Sequence, residues 1–417
     1  MKSIEKASRQ QMIKVLLSTL TGNLGSGILS FIIGLLILKS TDSALSFGIS
    51  QVIGPVVSLV LLPFTGSIVD KFDKKKVLVA AQLLSIISLC IYGIMIYYYG
   101  FEHLIFTYLL LIFLKISDQF LVTSFTASIV NIVIDEHIQK VKSLQQILSS
   151  LTLITAPILA AFLYDFVPLL YLVASEIGLE IMTIFIMLSI NFHLTSIVMD
   201  EESTQEENIL ILFKQGLDYM IKSKKLFFAL IFAMLVNFMF GAVNVGIPFI
   251  QINILHFSNN IYGFTEAIFS FGMIVSGIIL SVSKNISYPL YSSWCMINVI
   301  GLLFVVLGIL LGIILEKIYF IIIISIFNLL IGMAITWVNV PITVWMTKEI
   351  PKHYQGRVFN ILNTGAQLLT PLGILFFSAL FDHSNNYSIF MISGFIILLI
   401  TLTYPLLFKI NLKENQI

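Results

Sequence analysis

Two pairs of charged residues stand inside long apolar stretches, where charge is costly and by default functional. Lys115 and Asp118 are three positions apart and share one face of a helix. Glu176 and Glu180, four apart, do the same. A cation beside a carboxyl favours the ionised form and burial favours the neutral acid, so a site that switches between wet and dry can load and release a proton. Two carboxyls on one face at low dielectric also oppose each other's ionisation. Both arrangements suit proton carriage. The alternative for Lys115 and Asp118 is a self-neutralising pair that supports packing. A second set of polar groups consists of amides: Asn23, Asn237, Asn244, Asn328 and Asn339, with Trp337, Phe240 and Met239 as apolar neighbours. A few polar groups among aromatic walls suit a lipophilic, partly polar ligand.

The elements that must position these residues are spans of a membrane. Apolar residues make up 58% of the chain and charged residues 11%, against ~48% and ~25% in soluble domains. The apolar residues fall in runs of about 20 or more, the length that crosses ~30 Å of hydrocarbon as a helix. Twelve runs are expected, near 14–38, 44–69, 77–99, 103–131, 143–165, 168–194, 226–254, 261–283, 290–313, 317–346, 356–380 and 384–408. The first is too long for a removable signal peptide. At 1.5 Å per residue, Lys115 and Asp118 lie ~18 and ~22 Å into the fourth run, near mid-bilayer. Glu266 lies one turn into the eighth run and reads as interfacial.

With a cytoplasmic N-terminus, the loop lysines and arginines gather almost entirely inside, leaving Lys39 and Lys317 outside. Both termini are then cytoplasmic. The longest polar stretch, 195–225, opens with acidic residues from Asp200 to Glu207 and continues as an amphipathic segment from Ile209 to Lys222. It divides the chain into an N-terminal six-helix bundle (1–194), a cytoplasmic linker (195–225) and a C-terminal six-helix bundle (226–417). Cys90 and Cys295 read as small packing residues. The six histidines all fall at span ends or in loops, and no metal-type spacing occurs. No cofactor, metal or nucleic-acid partner is expected.

Three stretches carry a family resemblance. Gly66-Ser67-Ile68-Val69-Asp70-Lys71-Phe72-Asp73-Lys74-Lys75-Lys76 joins the second and third spans. It resembles the G-x-L-a-D-R-x-G-R-K loop of major facilitator superfamily transporters, with Asp73 in place of Gly as in the macrolide-efflux-type branch. Glu349-Ile350-Pro351-Lys352-His353-Tyr354-Gln355-Gly356-Arg357-Val358-Phe359 is similar to that branch's P-x-x-x-x-G-R-V-F segment. Thr152, Ala156, Pro157, Ala160 and Ala161 resemble the antiporter motif of the fifth helix, with Ala and Thr in place of Gly. Small residues there let a neighbouring helix approach closely, and the proline adds a kink.

The resemblance implies an all-α major facilitator fold of twelve helices in two six-helix bundles. It implies a gating loop at Gly66, Asp70, Lys71, Asp73, Lys74 and Lys75. It also implies a cavity lined by helices 1, 4, 7 and 10, which ranks Asp118 above Glu180 and Glu180 above Glu176 as proton carriers. Gly356 and Arg357 give a flexible start to the eleventh span and an anchoring cation, whose role is expected to be structural.

No phosphate-binding loop occurs, so uphill transport requires an ion gradient. One proton crossing ~100 mV with one pH unit supplies ~3.7 kcal/mol, enough for a ratio of several hundredfold. The resulting expectation is a proton-coupled exporter of amphipathic drug or macrolide-like molecules in the plasma membrane. Its partners are lipid, protons and a small-molecule substrate, and a monomer is expected. The alternatives are a dedicated exporter of a siderophore or other metabolite, an uptake symporter, and a non-transporting receptor or enzyme.

Overall fold

The computed structural model describes residues 2–101, 103–192, 194, 209–283, 286–313, 316–384, 386–410 and 412. The acidic run at 200–207 lies outside the described residues, as do the side chains of Asp70, Gly356 and Arg357.

The described chain forms helices α1 (Lys2–Thr41), α2 (Ala44–Lys71), α3 (Lys74–Tyr99), α4 (Leu104–Ile132), α5 (Asp135–Phe166) and α6 (Leu169–Leu188). After them come α7 (Ile209–Lys222), α8 (Lys224–Phe249), a π-helical segment (Ile250–Ile254) and α9 (Asn259–Val282). The chain ends with α10 (Pro289–Leu311), α11 (Lys317–Glu349), α12 (Lys352–Ala366), α13 (Thr370–His383) and α14 (Asn386–Phe408). Among the described residues twelve stretches are long and apolar enough to cross a membrane, as many as the expected runs.

Two compact units result. The first comprises Met1–Thr41 and Ile53–Ser203, the second Asp42–Val52 and Thr204–Ile417. The first eleven of these α2-side positions, Asp42–Val52, therefore belong with the second unit.

In the first unit α1 packs along α5, and small residues make the close approach possible. A methyl group on Gly27 would stand 3.1 Å from Ala156 Cβ and 3.3 Å from Thr152 Cγ2. Ala156, Ala160, Ala161 and Thr152 are all buried. The antiporter-like face thus meets α1, and α5 runs through Pro157 without interruption.

In the second unit α9 packs along α11 through a reciprocal pair of glycines. A methyl group on Gly272 would collide with the Leu329 carbonyl, and one on Gly332 with the Phe269 carbonyl. Met220 of α7 is buried with Leu226, Leu230, Trp345, Met346 and Leu362. Part of the amphipathic segment's apolar face is therefore covered by protein.

The eleventh span differs from its expected form. It is two helices, α12 and α13, separated by turns at 367–369. Pro371 occupies the first turn of α13, where its missing N–H is tolerated. The sequence pattern around Pro157 and Pro371 is alike, yet only Pro371 starts a new helix.

Candidate functional site

A cavity of about 520 Å³ opens in the first unit, bordered by α1, α3, α4, α5 and α6. Its size is that of a small-molecule site. Asp118 and Glu180 both line it, with Lys142 as the cation. Asn23, Gln82, Gln145, Ser149 and Thr183 supply neutral polar groups.

The wall is cross-linked by hydrogen bonds. Asn23 Nδ2 donates to Ser149 Oγ at 3.1 Å, and Gln145 Nε2 donates to Thr19 Oγ1 at 3.0 Å. Gln82 Nε2 donates to the Glu180 carbonyl at 3.4 Å. Thr21 and Thr183 hydroxyls lie 2.7 Å apart. These bonds fix the α1–α5, α1–α6 and α3–α6 seams around the space.

The four charged candidates take different places. Lys115 Nζ meets Asp118 Oδ2 at 3.0 Å, with both side chains about two-fifths exposed (38% and 41%). The lysine stem packs over Gly54. Asp118 faces the cavity, and Lys115 approaches it from the α2 side. Glu180 is 7% exposed and lines the cavity, while Glu176 is 4% exposed. Glu176 lies against Gly25, whose missing side chain makes room for its carboxyl.

The loop between α2 and α3 is organised by its own side chains. Asp73 caps α3, accepting the Lys76 N–H at 2.9 Å. Lys74 Nζ donates to the Ala127 carbonyl at 3.1 Å, and Lys75 Nζ to the Leu188 carbonyl at 2.8 Å. The lysines thus sit on carbonyls late in α4 and at the end of α6, where a helix is electronegative. Lys71 is exposed beside the Phe72 ring, and nothing lies within 4 Å of a methyl group on Gly66.

In the second unit the amides separate. Asn237 and Asn339 line a cavity of about 170 Å³ with Phe228, Phe232 and Trp294. Trp337 donates to Ser292 Oγ at 3.0 Å, and Asn244 is exposed. Asn328 is buried and donates to the Thr265 carbonyl at 2.9 Å, so it ties α11 to α9.

Sequence reasoning did not find Gln82, Gln145 and Lys142 in the first cavity. Gln82 was visible as a lone amide in an apolar run. Glu266 lies one turn further into its helix than expected. It lies two turns into α9, half-buried, with its Oε1 3.5 Å from Gln251 Nε2 of the π-helical segment.

Comparisons with known proteins agree with this architecture. The sequence profile of the Major Facilitator Superfamily matches residues 15–374. Macrolide efflux protein A of Streptococcus pyogenes is 22% identical over 389 residues, covering 93% of this chain and 93% of its own. Macrolide efflux protein A of Enterococcus faecalis is 22% identical over 313 residues, 75% of this chain and 94% of its own.

Among solved structures, the nucleoside transporter NupG superposes with a TM-score of 0.74 at 12% identity, covering 96% of this chain and all (100%) of NupG. The D-xylose-proton symporter gives 0.68 at 12% identity, covering 97% of this chain and 98% of its own. A bacterial homologue of the iron transporter ferroportin gives 0.62 at 15% identity, covering 96% and 98%. At such identities the likeness concerns the fold alone: twelve spans in two six-helix bundles.

Proposed function

Because the chain belongs to the Major Facilitator Superfamily, a family of membrane transporters and not of enzymes, we propose that it exports amphipathic, macrolide-like small molecules by proton antiport with alternating access. The lipid bilayer and a small-molecule substrate follow from the family. Protons, a monomeric state, the plasma membrane and cytoplasmic termini are parts of the proposal. So are the boundaries 1–194, 195–225 and 226–417.

Export of macrolide-like compounds is supported by the two relatives named for macrolide efflux, which align along most of this chain. The aromatic cavity with Asn237 and Asn339 offers a wall for a lipophilic body with a few polar groups.

The observation that carries proton coupling is the Lys115–Asp118 pair, held at 3.0 Å with Asp118 on the cavity wall. Water entering the cavity stabilises both charges. Closure strips that water and favours proton transfer to the carboxylate or displacement of the lysine. A substrate that engages Asp118 or expels water shifts the same balance, linking substrate loading to proton release. Glu180 opens on the same space and is the second carrier. Glu176, buried against Gly25, is the reserve.

The small face of α5 packed on α1 serves as a seam that moves as one body with Asp118. The α2–α3 loop is assigned to gating, with Lys74 and Lys75 anchoring its second half and Asp70 acting from the end of α2. Arg357 is assigned an anchoring role at the start of the eleventh span.

The test is accumulation of a macrolide panel in cells with and without the protein, in the presence and absence of an uncoupler. Lower, uncoupler-sensitive accumulation is expected, and Asp118→Asn should abolish uphill export while leaving downhill exchange. Uphill, uncoupler-sensitive export by Asp118→Asn would transfer the carrier role to Glu180. The amide-rich first cavity also favours a second reading, a more polar metabolite as substrate. Siderophores and sugars in the same panel distinguish it.

A further inference from the structure

The π-helical segment Ile250–Ile254 places Gln251, which is fully buried, against Thr265 and Glu266 of α9. The π-helical turn closes the span that begins at Lys224, just before the chain passes into α9. Here it sets an amide between a hydroxyl and a carboxyl. Gln251 Nε2 donates to Glu266 Oε1 at 3.5 Å, and Thr265 Oγ1 donates to Gln251 Oε1 at 2.5 Å. The Thr265 hydroxyl has a second acceptor within reach, the Tyr262 carbonyl at 2.9 Å. Asn328 of α11 holds the Thr265 carbonyl, so three elements meet at this point.

We propose that Glu266, Gln251 and Thr265 form a proton-binding site in the second unit, separate from Asp118, in which the amide and hydroxyl turn over when Glu266 takes up a proton. The chain of donors works in both states. With Glu266 ionised, the amide N–H donates to the carboxylate and the Thr265 O–H to the amide oxygen, as the structure has it. With a proton added to a Glu266 oxygen, the new O–H donates to Gln251 Oε1 after a half-turn of the amide. Gln251 Nε2 then donates to Thr265 Oγ1, and the Thr265 O–H passes to the Tyr262 carbonyl. One proton is taken up, no covalent bond to carbon changes, and Glu266, Gln251 and Thr265 each keep a hydrogen-bond partner in both states. A fixed donor in place of the amide would leave one state with an unsatisfied group, which is costly away from water.

No cation neutralises Glu266 among the described residues. Tyr262 is the neighbouring titratable group on the same helix. The π-helical segment carries no titratable residue, and its Asn253 donates to the Asp42 carboxylate. The nearest cation on α11 is Lys317, at its first position, and its Nζ donates to the His256 carbonyl. A carboxyl in a span with an amide and no counter-ion is an arrangement for exchanging a proton, not for holding a permanent charge.

The proposal is tested on the purified full-length protein in lipid nanodiscs by infrared difference spectroscopy between acid and alkaline buffer, without substrate. The carboxylic C=O region should lose one band in Glu266→Gln, and that band should persist in Asp118→Asn. Thr265→Val should move the midpoint at which the band titrates, and Thr265→Ser should restore it. An unchanged difference spectrum in Glu266→Gln overturns the site. A midpoint identical in Thr265→Val and the parent protein overturns the relay, and this pair of variants decides the matter even where Glu266→Gln does not fold. Since no substrate is present, failure here is distinct from failure of macrolide export.

Discussion

Asp382, at the end of α13, caps the helix that begins at Ala44: its Oδ1 accepts the Ala44 N–H at 2.6 Å. Its Oδ2 accepts the Ser43 hydroxyl at 2.8 Å and the Leu45 N–H at 3.1 Å. Both partners lie in the second unit. One carboxylate thus satisfies donors at a helix start some 340 residues away in sequence, at the electropositive end of the dipole. Asp382→Ala is expected to cost about 1 kcal/mol of stability, read as a lower midpoint in thermal unfolding of the detergent-solubilised protein. Asp382→Asn should retain most of it. Equal loss in both variants would assign the effect to something other than the cap.

The glycine contact between α9 and α11 makes a sharper stability prediction. Gly332→Ala drives a methyl group toward the Phe269 carbonyl, a backbone atom that cannot rotate away. Overpacking of this kind costs about 1–3 kcal/mol. Gly178→Ala in α6 is the control, since nothing lies within 4 Å of the added methyl. Fluorescence-detected size exclusion after heating should show loss for the first and none for the second.

Lys115 should matter through its charge. Lys115→Arg keeps a cation beside Asp118 and should retain uphill export. Lys115→Leu leaves Asp118 without its partner and should reduce accumulation against a gradient toward the downhill level. Equal activity in both variants, measured by uncoupler-sensitive drug accumulation, would leave the pair without a role in coupling.

Asp70→Asn is expected to slow turnover while substrate affinity stays within a few-fold, as a gating residue requires. Paired transport and binding measurements on one preparation decide it. A loss confined to affinity would remove Asp70 from the gate.

Orientation is tested by chemistry at the linker. In a Cys90→Ser, Cys295→Ser background, a cysteine introduced at position 205 should react with a membrane-impermeant maleimide only after the cytoplasmic face is opened. Reaction in intact cells would invert the topology.

The spans were readable because a membrane helix must be long, apolar and continuous in sequence, so the signal is local. Lys115 and Asp118 were readable for the same reason: charge is conspicuous where there is little of it. The packing of Thr152, Ala156, Ala160 and Ala161 followed from their size. The π-helical turn at Ile250–Ile254 left no such mark, since Ile-Gln-Ile-Asn-Ile reads as any apolar stretch and the register change depends on its neighbours. Gln251 and Glu266 are fifteen positions apart and meet only through the fold. The partnership of Asp382 with Ala44 is longer still. Pro157 stands in Thr-Ala-Pro-Ile-Leu and Pro371 in Leu-Thr-Pro-Leu-Gly, similar stretches of which only the second starts a new helix.

That last difference has a mechanical consequence. An unbroken rod such as α5 carries a push at one end to the other, so the α1–α5 seam shifts as a whole. The interruption at 367–369 is a joint. Displacement of α12 on one side of it can be absorbed as bending there, before it reaches the Asp382 end of α13. The two proline-bearing spans therefore differ in stiffness: α5 transmits strain, and the joint between α12 and α13 takes up slack.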